Sequence, residues 1–125
     1  MGEVKRLKYC IDGEWLESKA ERYMPITDSS TGELIAEAPC CTKEEAEAAI
    51  ESADRAFPAW SSLSISKRQQ YMFTWRDVLV RHKEELSLLC AKELGKTIGE
   101  ARGDVQKAIE PTELACSLPA LIQGD

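Results

Sequence analysis

The sequence predicts an α/β fold in which two N-terminal β-hairpins are followed by four or five α-helices. Two observations predict the hairpins: Asp12-Gly13 and the turn D-S-S-T-G at residues 28–32 each lie between two short runs with apolar positions. A third predicts the helices, because from Thr42 onward apolar residues recur at spacings of three and four. The strand-rich part therefore precedes the helical part.

The composition indicates a single domain. The chain has 125 residues, 43% hydrophobic and 30% charged, which is ordinary for a folded domain. We expect strand-rich hairpins in residues 1–39 and a helical layer in residues 40–125. The formal net charge of -6, with basic residues interleaved among acids, argues against nucleic-acid binding. No run approaches the ~18 apolar residues of a membrane span or resembles a signal peptide, so a cytoplasmic protein without a membrane partner is expected.

The five cysteines predict no metal site and no disulfide framework. Their number is odd and no C-x-x-C spacing occurs among positions 10, 40, 41, 90 and 116. Neighbouring thiols such as Cys40 and Cys41 would form a strained ring if joined, so packing is favoured over a redox pair. These features fit a reducing compartment.

The predicted strands run from Tyr9 to Glu17 in the first hairpin, and from Tyr23 to Thr27 and Glu33 to Ala38 in the second. They carry few large apolar residues. Strand edges of this kind usually pair with another sheet or another chain. A small self-contained sheet lying on the helices is the alternative.

The first helix is predicted to begin at Thr42, since Glu45 three residues later completes a capping box. Its apolar positions form a narrow stripe that we expect to be packed, with two aromatics anchoring the C-terminal end: Ala46, Ala49, Ile50, Ala53, Ala56, Phe57 and Trp60.

The second helix is predicted to be capped by Ser64 or Ser66. We expect its inward side to carry Ile65, Met72, Trp75, Val78 and Leu79. The lone His82 near its end is interpreted as a cap or surface residue, because general-base catalysis needs a partner that the sequence does not supply.

A third helix is predicted from Glu84 to Leu94, ended by Gly95, and a fourth from Thr97 that bends or breaks near Pro111. Gly99 and Gly103 would lie on one face of the fourth helix, where we expect close packing against another backbone. The G-K-T sequence that ends at Thr97 is not a phosphate loop, because that motif needs a glycine where Cys90 stands. No G-x-G-x-x-G fingerprint occurs.

Four segments together resemble the N-terminal quarter of an NAD-dependent aldehyde dehydrogenase: I-D-G-E-W at 11–15, S-T-G-E-L-I-A-E-A-P at 30–39, A-F-P-A-W at 56–60 and K-E-L-G-K-T at 92–97. The segment G-E-A-R-G-D-V-Q-K-A-I-E at 99–110 is most similar to the methylmalonate-semialdehyde branch. This resemblance implies a truncated part of the NAD-binding domain. It also implies a parent enzyme that oxidises short semialdehydes to acyl-coenzyme A with NAD.

The resemblance implies no catalytic residue and no bound cofactor within this chain, since the family's nucleophile, base and dinucleotide-binding strands lie beyond it. Lys107 stands where relatives carry an arginine that holds the substrate's acidic group, so it is the candidate substrate-binding residue. A solvated surface lysine is the alternative. Turn residues Asp28-Ser29 and helix residue Pro111 depart from the family pattern. The expected partner is the remainder of a dehydrogenase; the rival interpretation is a non-catalytic module that associates with itself through its hairpins and helices.

Overall fold

The computed structural model describes residues 4–122, which belong to two compact units, Met1–Ser61 and Ser62–Asp125. The first unit contains strands β1 (Lys5–Arg6), β2 (Tyr9–Ile11), β3 (Glu14–Leu16), β4 (Tyr23–Thr27) and β5 (Leu34–Pro39), and helix α1 (Lys43–Ser61). The second contains helices α2 (Ile65–Arg81), α3 (Lys83–Leu94), α4 (Ile98–Cys116) and α5 (Leu118–Leu121). The first predicted helix thus groups with the strands, while a single-domain organisation stays a prediction.

Both predicted hairpins are confirmed. Strands β2 and β3 pair antiparallel with Cys10 opposite Trp15. The turn residues Asp12 and Gly13 have φ angles of 54° and 78°, the left-handed pair that a tight two-residue hairpin turn requires. Strands β4 and β5 also pair antiparallel, and their connection is held by the Asp28 side chain, which accepts bonds from the Ser30 and Thr31 amides at 2.8 and 3.2 Å.

Strand β1 was not predicted. It pairs parallel with β5, placing Lys5 opposite Ala36, so that the three-stranded sheet has the order β1-β5-β4. The Arg6 side chain adds contacts across this sheet. Its Nε lies 3.2 Å from Glu37 Oε2 on β5, and its guanidinium carbon lies 4.6 Å from the ring centre of Tyr23 on β4. Such a short, charged, nonlocal strand has no periodicity to reveal it.

The capping box of α1 is confirmed, and it extends beyond the helix. The Glu45 amide donates to Thr42 Oγ1 at 3.3 Å, and the Glu45 carboxylate accepts from the Thr42 amide at 2.9 Å. The same carboxylate accepts from the Ser18 hydroxyl at 2.8 Å and the Lys19 amide at 2.7 Å. Glu45 therefore ties the segment after β3 to the start of α1.

The expectation that the apolar stripe of α1 is packed is wrong within the first unit. Ile50 is 68% exposed, Phe57 62% and Trp60 39%, and the alanines of the stripe are exposed as well. Periodicity identified the apolar side correctly, but none of the described residues 4–61 covers it. The end of the helix is therefore not anchored by its aromatic residues within this unit.

The second unit is organised around α4. Its buried face consists of Ala101, Val105, Ile109, Thr112 and Cys116, and Ser87 of α3 is fully buried. Ser64 caps α2 by accepting from the Lys67 amide, and Gly95 ends α3 with a left-handed φ of 66°, as predicted.

One expectation about this unit is wrong, and a second is wrong in one of its two forms. Trp75 is 52% exposed instead of facing inward. Helix α4 is not broken near Pro111, since it continues to Cys116, while a bend there stays a prediction. The proline removes one amide donor from α4 but does not end the helix.

Candidate functional site on helix α4

Helix α4 begins with a capping box that fixes its first turn. The Glu100 amide donates to Thr97 Oγ1 at 3.3 Å, and the Thr97 amide donates to the Glu100 carboxylate at 3.0 Å. The Thr97 hydroxyl also donates to that carboxylate, at 2.8 Å. These bonds lower the pKa of Glu100 below its ordinary value. The bond from the Thr97 hydroxyl has the larger effect and the bond from the Thr97 amide the smaller.

Polar contacts with α3 fix the rotation of α4. The Arg102 guanidinium grips the Glu84 carboxylate with two bonds, Nε to Oε1 at 2.9 Å and Nη2 to Oε2 at 2.8 Å. This bidentate contact lowers the pKa of Glu84. One turn along, Lys83 Nζ donates to Gln106 Oε1 at 2.7 Å.

Contacts with α2 fix the other end of α4. Arg76 donates to Glu113 Oε1 through Nε at 3.0 Å and Nη2 at 2.9 Å, and the Gln69 amide group donates to the Cys116 carbonyl. Because both ends are held, the side of α4 opposite its buried face is presented outward in a defined orientation.

That outward side carries all three residues that the sequence singled out. Gly99, Gly103 and Lys107 follow one another at intervals of four residues, so they form one column on the helix. All three are exposed. Apart from the adjoining backbone of its own helix and its two chain neighbours, a Cβ at Gly103 would meet no atom of the described residues within 4 Å, and one at Gly99 would meet only Thr97 Oγ1, at 4.0 Å. The predicted packing partner of the glycines is therefore not within residues 4–122, and the packing stays a prediction.

Lys107 forms no ion pair within the part of the chain that the structure describes. Its ammonium group supplies three hydrogen-bond donors and a positive charge, with no acceptor. An exposed cation of this kind can hold the carboxylate of a small ligand.

Asp104 lies one turn before Lys107 but is engaged elsewhere. Lys96 Nζ contacts its Oδ2 at 2.5 Å, and Cys90 Sγ approaches the same oxygen at 3.9 Å. The bond from Lys96 is the main cause that lowers the pKa of Asp104, with smaller help from the charges of Lys96 and Lys107. Sequence reasoning missed this pair, because Lys96 lies in the connection between α3 and α4, where the spacing rules for residues of one helix do not apply.

The other residues considered from the sequence are His82 and the five cysteines. His82 is exposed, its amide closes α2 by donating to the Val78 carbonyl, and Nδ1 contacts Glu85 Oε2 at 2.9 Å, which fits the predicted cap or surface role. The Cys40 sulfur accepts from Arg22 Nε at 3.3 Å. All five cysteines are free thiols.

Two kinds of feature are absent from residues 4–122. No cluster of three or more His, Cys, Asp or Glu side chains in this part of the chain is arranged to hold a metal ion. None of the helices described there has both the length and the apolar character needed to cross a membrane.

Relatives of known sequence cover the chain completely. A profile described as the aldehyde dehydrogenase family matches residues 15–125. A malonate-semialdehyde dehydrogenase from Listeria monocytogenes serotype 4a (strain HCC23) is 41% identical over 125 residues, which is 100% of this chain and 26% of the relative. Its counterpart from Bacillus subtilis (strain 168) is 38% identical with the same coverage. The chain thus spans about a quarter of the length of the curated relatives it matches.

Solved structures agree with the sequence matches. The methylmalonate-semialdehyde dehydrogenase of Oceanimonas doudoroffii has a TM-score of 0.91 at 30% identity, over 98% of this chain and 25% of that chain. An NAD complex of a Sinorhizobium meliloti 1021 protein, assigned as a methylmalonate-semialdehyde dehydrogenase, has a TM-score of 0.91 at 27% identity, over 97% and 25%. The predicted arrangement of hairpins followed by helices is confirmed as the N-terminal part of this fold. The chain belongs to the aldehyde dehydrogenase family.

Proposed function

We propose that this chain is the N-terminal part of a longer NAD-dependent dehydrogenase that oxidises malonate or methylmalonate semialdehyde to an acyl-coenzyme A. The observation that carries the proposal is the 41% identity with a malonate-semialdehyde dehydrogenase across the whole chain. The similarity to methylmalonate-semialdehyde dehydrogenase structures supports the same substrate class. Its expected location is the cytoplasm, an expectation supported by an odd number of cysteines with no paired spacing.

The chemistry is assigned to groups outside residues 1–125. NAD, when bound, accepts the hydride of the aldehyde, and coenzyme A takes up the acyl group. We assign the nucleophilic cysteine, its base and the dinucleotide site to the rest of the enzyme, and none of these roles to Cys10, Cys40, Cys41, Cys90 or Cys116. We therefore expect neither cofactor to bind this chain alone.

The contribution that we assign to this chain is recognition of the substrate's carboxylate by Lys107. Its support is the exposed ammonium group on a helix whose rotation is fixed by Arg102 and Arg76. A lysine binds a carboxylate as a point charge and lacks the two parallel bonds of an arginine, so we expect looser discrimination among acidic substrates than an arginine would give.

The expected partner of this chain is the remainder of the dehydrogenase. Gly99 and Gly103 would let a neighbouring backbone approach α4 closely, and this packing would offset the helix-destabilising effect of two glycines. The open space beside both glycines among the described residues is compatible with such a partner.

A first experiment compares mass and activity in the source organism. We expect a polypeptide about four times the 13.9 kDa mass of this chain, since the chain spans 26% of its relative. The same material should reduce NAD to NADH when it is supplied with malonate semialdehyde and coenzyme A.

A non-catalytic, self-associating module is the rival. The observation that favours it is the exposure of large apolar side chains in both units, among them Ile50, Phe57, Tyr71, Trp75 and Leu88. A native mass of 13.9 kDa per chain, no turnover and a defined oligomer would establish the rival and exclude the dehydrogenase.

A substitution in the active enzyme tests the role of Lys107. Lys107→Met should raise KM for malonate semialdehyde by about tenfold, because a charge-assisted contact to the carboxylate is lost. KM for propanal, which has no carboxylate, should stay unchanged, and Lys107→Arg should keep the preference for the acidic substrate. Equal losses with both aldehydes would contradict this role.

A further inference from the structure

Lys107 has an acidic neighbour on its own helix that could neutralise it. Asp104 lies three residues before Lys107, and an acid on the N-terminal side of a base is the favourable order for a pair on a helix. Glu110 lies three residues after Lys107, in the less favourable order. Asp104 is therefore the stronger competitor for the Lys107 ammonium group.

Lys96 forms an ion pair with that competing carboxylate. Its Nζ lies 2.5 Å from Asp104 Oδ2, and both side chains are only 38% exposed, so the pair is partly protected from water. Lys96 directly precedes the Thr97 cap of α4, and the capping box there restrains the backbone from which the lysine extends.

We propose that Lys96 is a positioning residue for substrate binding: it engages Asp104 and thereby keeps the Lys107 ammonium available to the carboxylate of the substrate. This inference rests on the proposed function of Lys107. Lys96 itself does not touch the substrate. Without Lys96, the Asp104 carboxylate would turn to Lys107 and compete with the substrate's carboxylate for the same donors.

The experiment measures KM and kcat of the complete enzyme with malonate semialdehyde and with propanal. Lys96→Met should raise KM for malonate semialdehyde by about two- to fivefold, the range of an exposed ion pair, with kcat within about twofold. KM for propanal should not change. Adding Asp104→Asn to Lys96→Met should restore KM, because the competing carboxylate is gone.

Three controls separate this role from a structural one. Lys92→Met removes the same charge from an exposed lysine near the end of α3, and should leave both KM values unchanged. Lys96→Arg should behave as the wild type. Lys96→Gln carries the same expectation as Lys96→Met and replaces it if that variant loses its far-UV circular dichroism.

The outcomes distinguish this inference from the proposed function. If Lys107→Met raises KM for malonate semialdehyde selectively but Lys96→Met does not, or if Asp104→Asn fails to reverse the rise, the role of Lys96 is refuted. If Lys107→Met has no selective effect, the proposed role of Lys107 fails, and the role of Lys96 fails with it.

Discussion

Helices α1 and α4 are built alike but packed differently. Each has 19 residues, a capping box of Thr and Glu at its start and an internal proline. Within the described residues α4 buries five side chains on one face, whereas α1 buries only Glu45. Forming a helix and covering its apolar side are therefore separate events, and only the first depends on local sequence.

The largest expected effect tests this difference directly. Ile109→Ala should lower the free energy of unfolding of the 125-residue chain by about 2–5 kcal/mol, because Ile109 is only 2% exposed and its removal leaves a cavity. Ile50→Ala makes the same chemical change where the side chain is 68% exposed, and should cost less than about 0.5 kcal/mol.

Urea unfolding followed by far-UV circular dichroism measures both variants. Equal losses would mean that the stripe of α1 is covered in solution, and the contrast between the two helices would disappear. In the longer enzyme, Ile50→Ala should become costly if the remainder of the protein packs on α1.

The local signals in the sequence were sufficient to locate most elements. Asp12-Gly13 set the first hairpin, Thr42 and Ser64 started two helices, and Gly95 ended a third. Each acts through the backbone of its own few residues, so neighbours far along the chain are not needed to infer it.

Contacts between distant residues could not be predicted in the same way. The parallel pairing of β1 with β5 joins Lys5 to Ala36, and periodicity does not reveal which strands meet. The inward placement of Trp75 failed for a related reason, since an apolar pattern says which side of a helix is hydrophobic but not what covers it.

The candidate site was predicted only in part. Lys107 and the two glycines were named from the sequence, but the Lys96–Asp104 pair beside them was not. That pair joins a residue of the connection between α3 and α4 to a residue of α4, and spacing rules for neighbours on one helix do not cover it.

A second prediction concerns Gly99 and Gly103 of α4. Helix α1 has no glycines in the corresponding stripe, which consists largely of alanines. Gly103→Ala should stabilise the 125-residue chain by about 0.5–1 kcal/mol, because the new Cβ has open space among residues 4–122 beyond its own helix and alanine is the better helix former. Gly99→Ala, in the first turn, is the matched control with a smaller gain.

The same substitution should have the opposite sign in the longer enzyme. There Gly103→Ala should lower the thermal midpoint if another backbone packs against this column, as proposed above. Thermal unfolding of both proteins gives the comparison. Stabilisation in both would remove the packing role of the glycines.

The smallest expected effect is a pH dependence at the one buried residue of α1. The Lys19 amide, together with Thr42 and Ser18, lowers the pKa of Glu45 in the folded chain. A carboxylate whose pKa is lowered in the folded state stabilises the fold at pH values above its ordinary pKa of 4.5. This stabilisation is lost as the pH falls through the folded-state pKa.

Glu45→Gln should therefore lower the thermal midpoint at pH 7, and the difference from the wild type should shrink on acidification below the ordinary carboxyl range. Glu47→Gln is the control, since this exposed side chain contacts only Lys43, at 3.4 Å, among the ion pairs of the described residues. A difference between Glu45→Gln and the wild type that stays constant with pH would show that the charge of Glu45 does not stabilise the start of α1.

The exposure of the aromatic side chains has a spectroscopic consequence. The chain has three tryptophans, and Trp15, Trp60 and Trp75 are 69%, 39% and 52% exposed. Their indole rings already meet water in the folded chain, so their emission should change little when the chain unfolds. Their emission maximum would shift to shorter wavelengths when another surface covers the rings. Intrinsic fluorescence is therefore a reporter of association and not of folding.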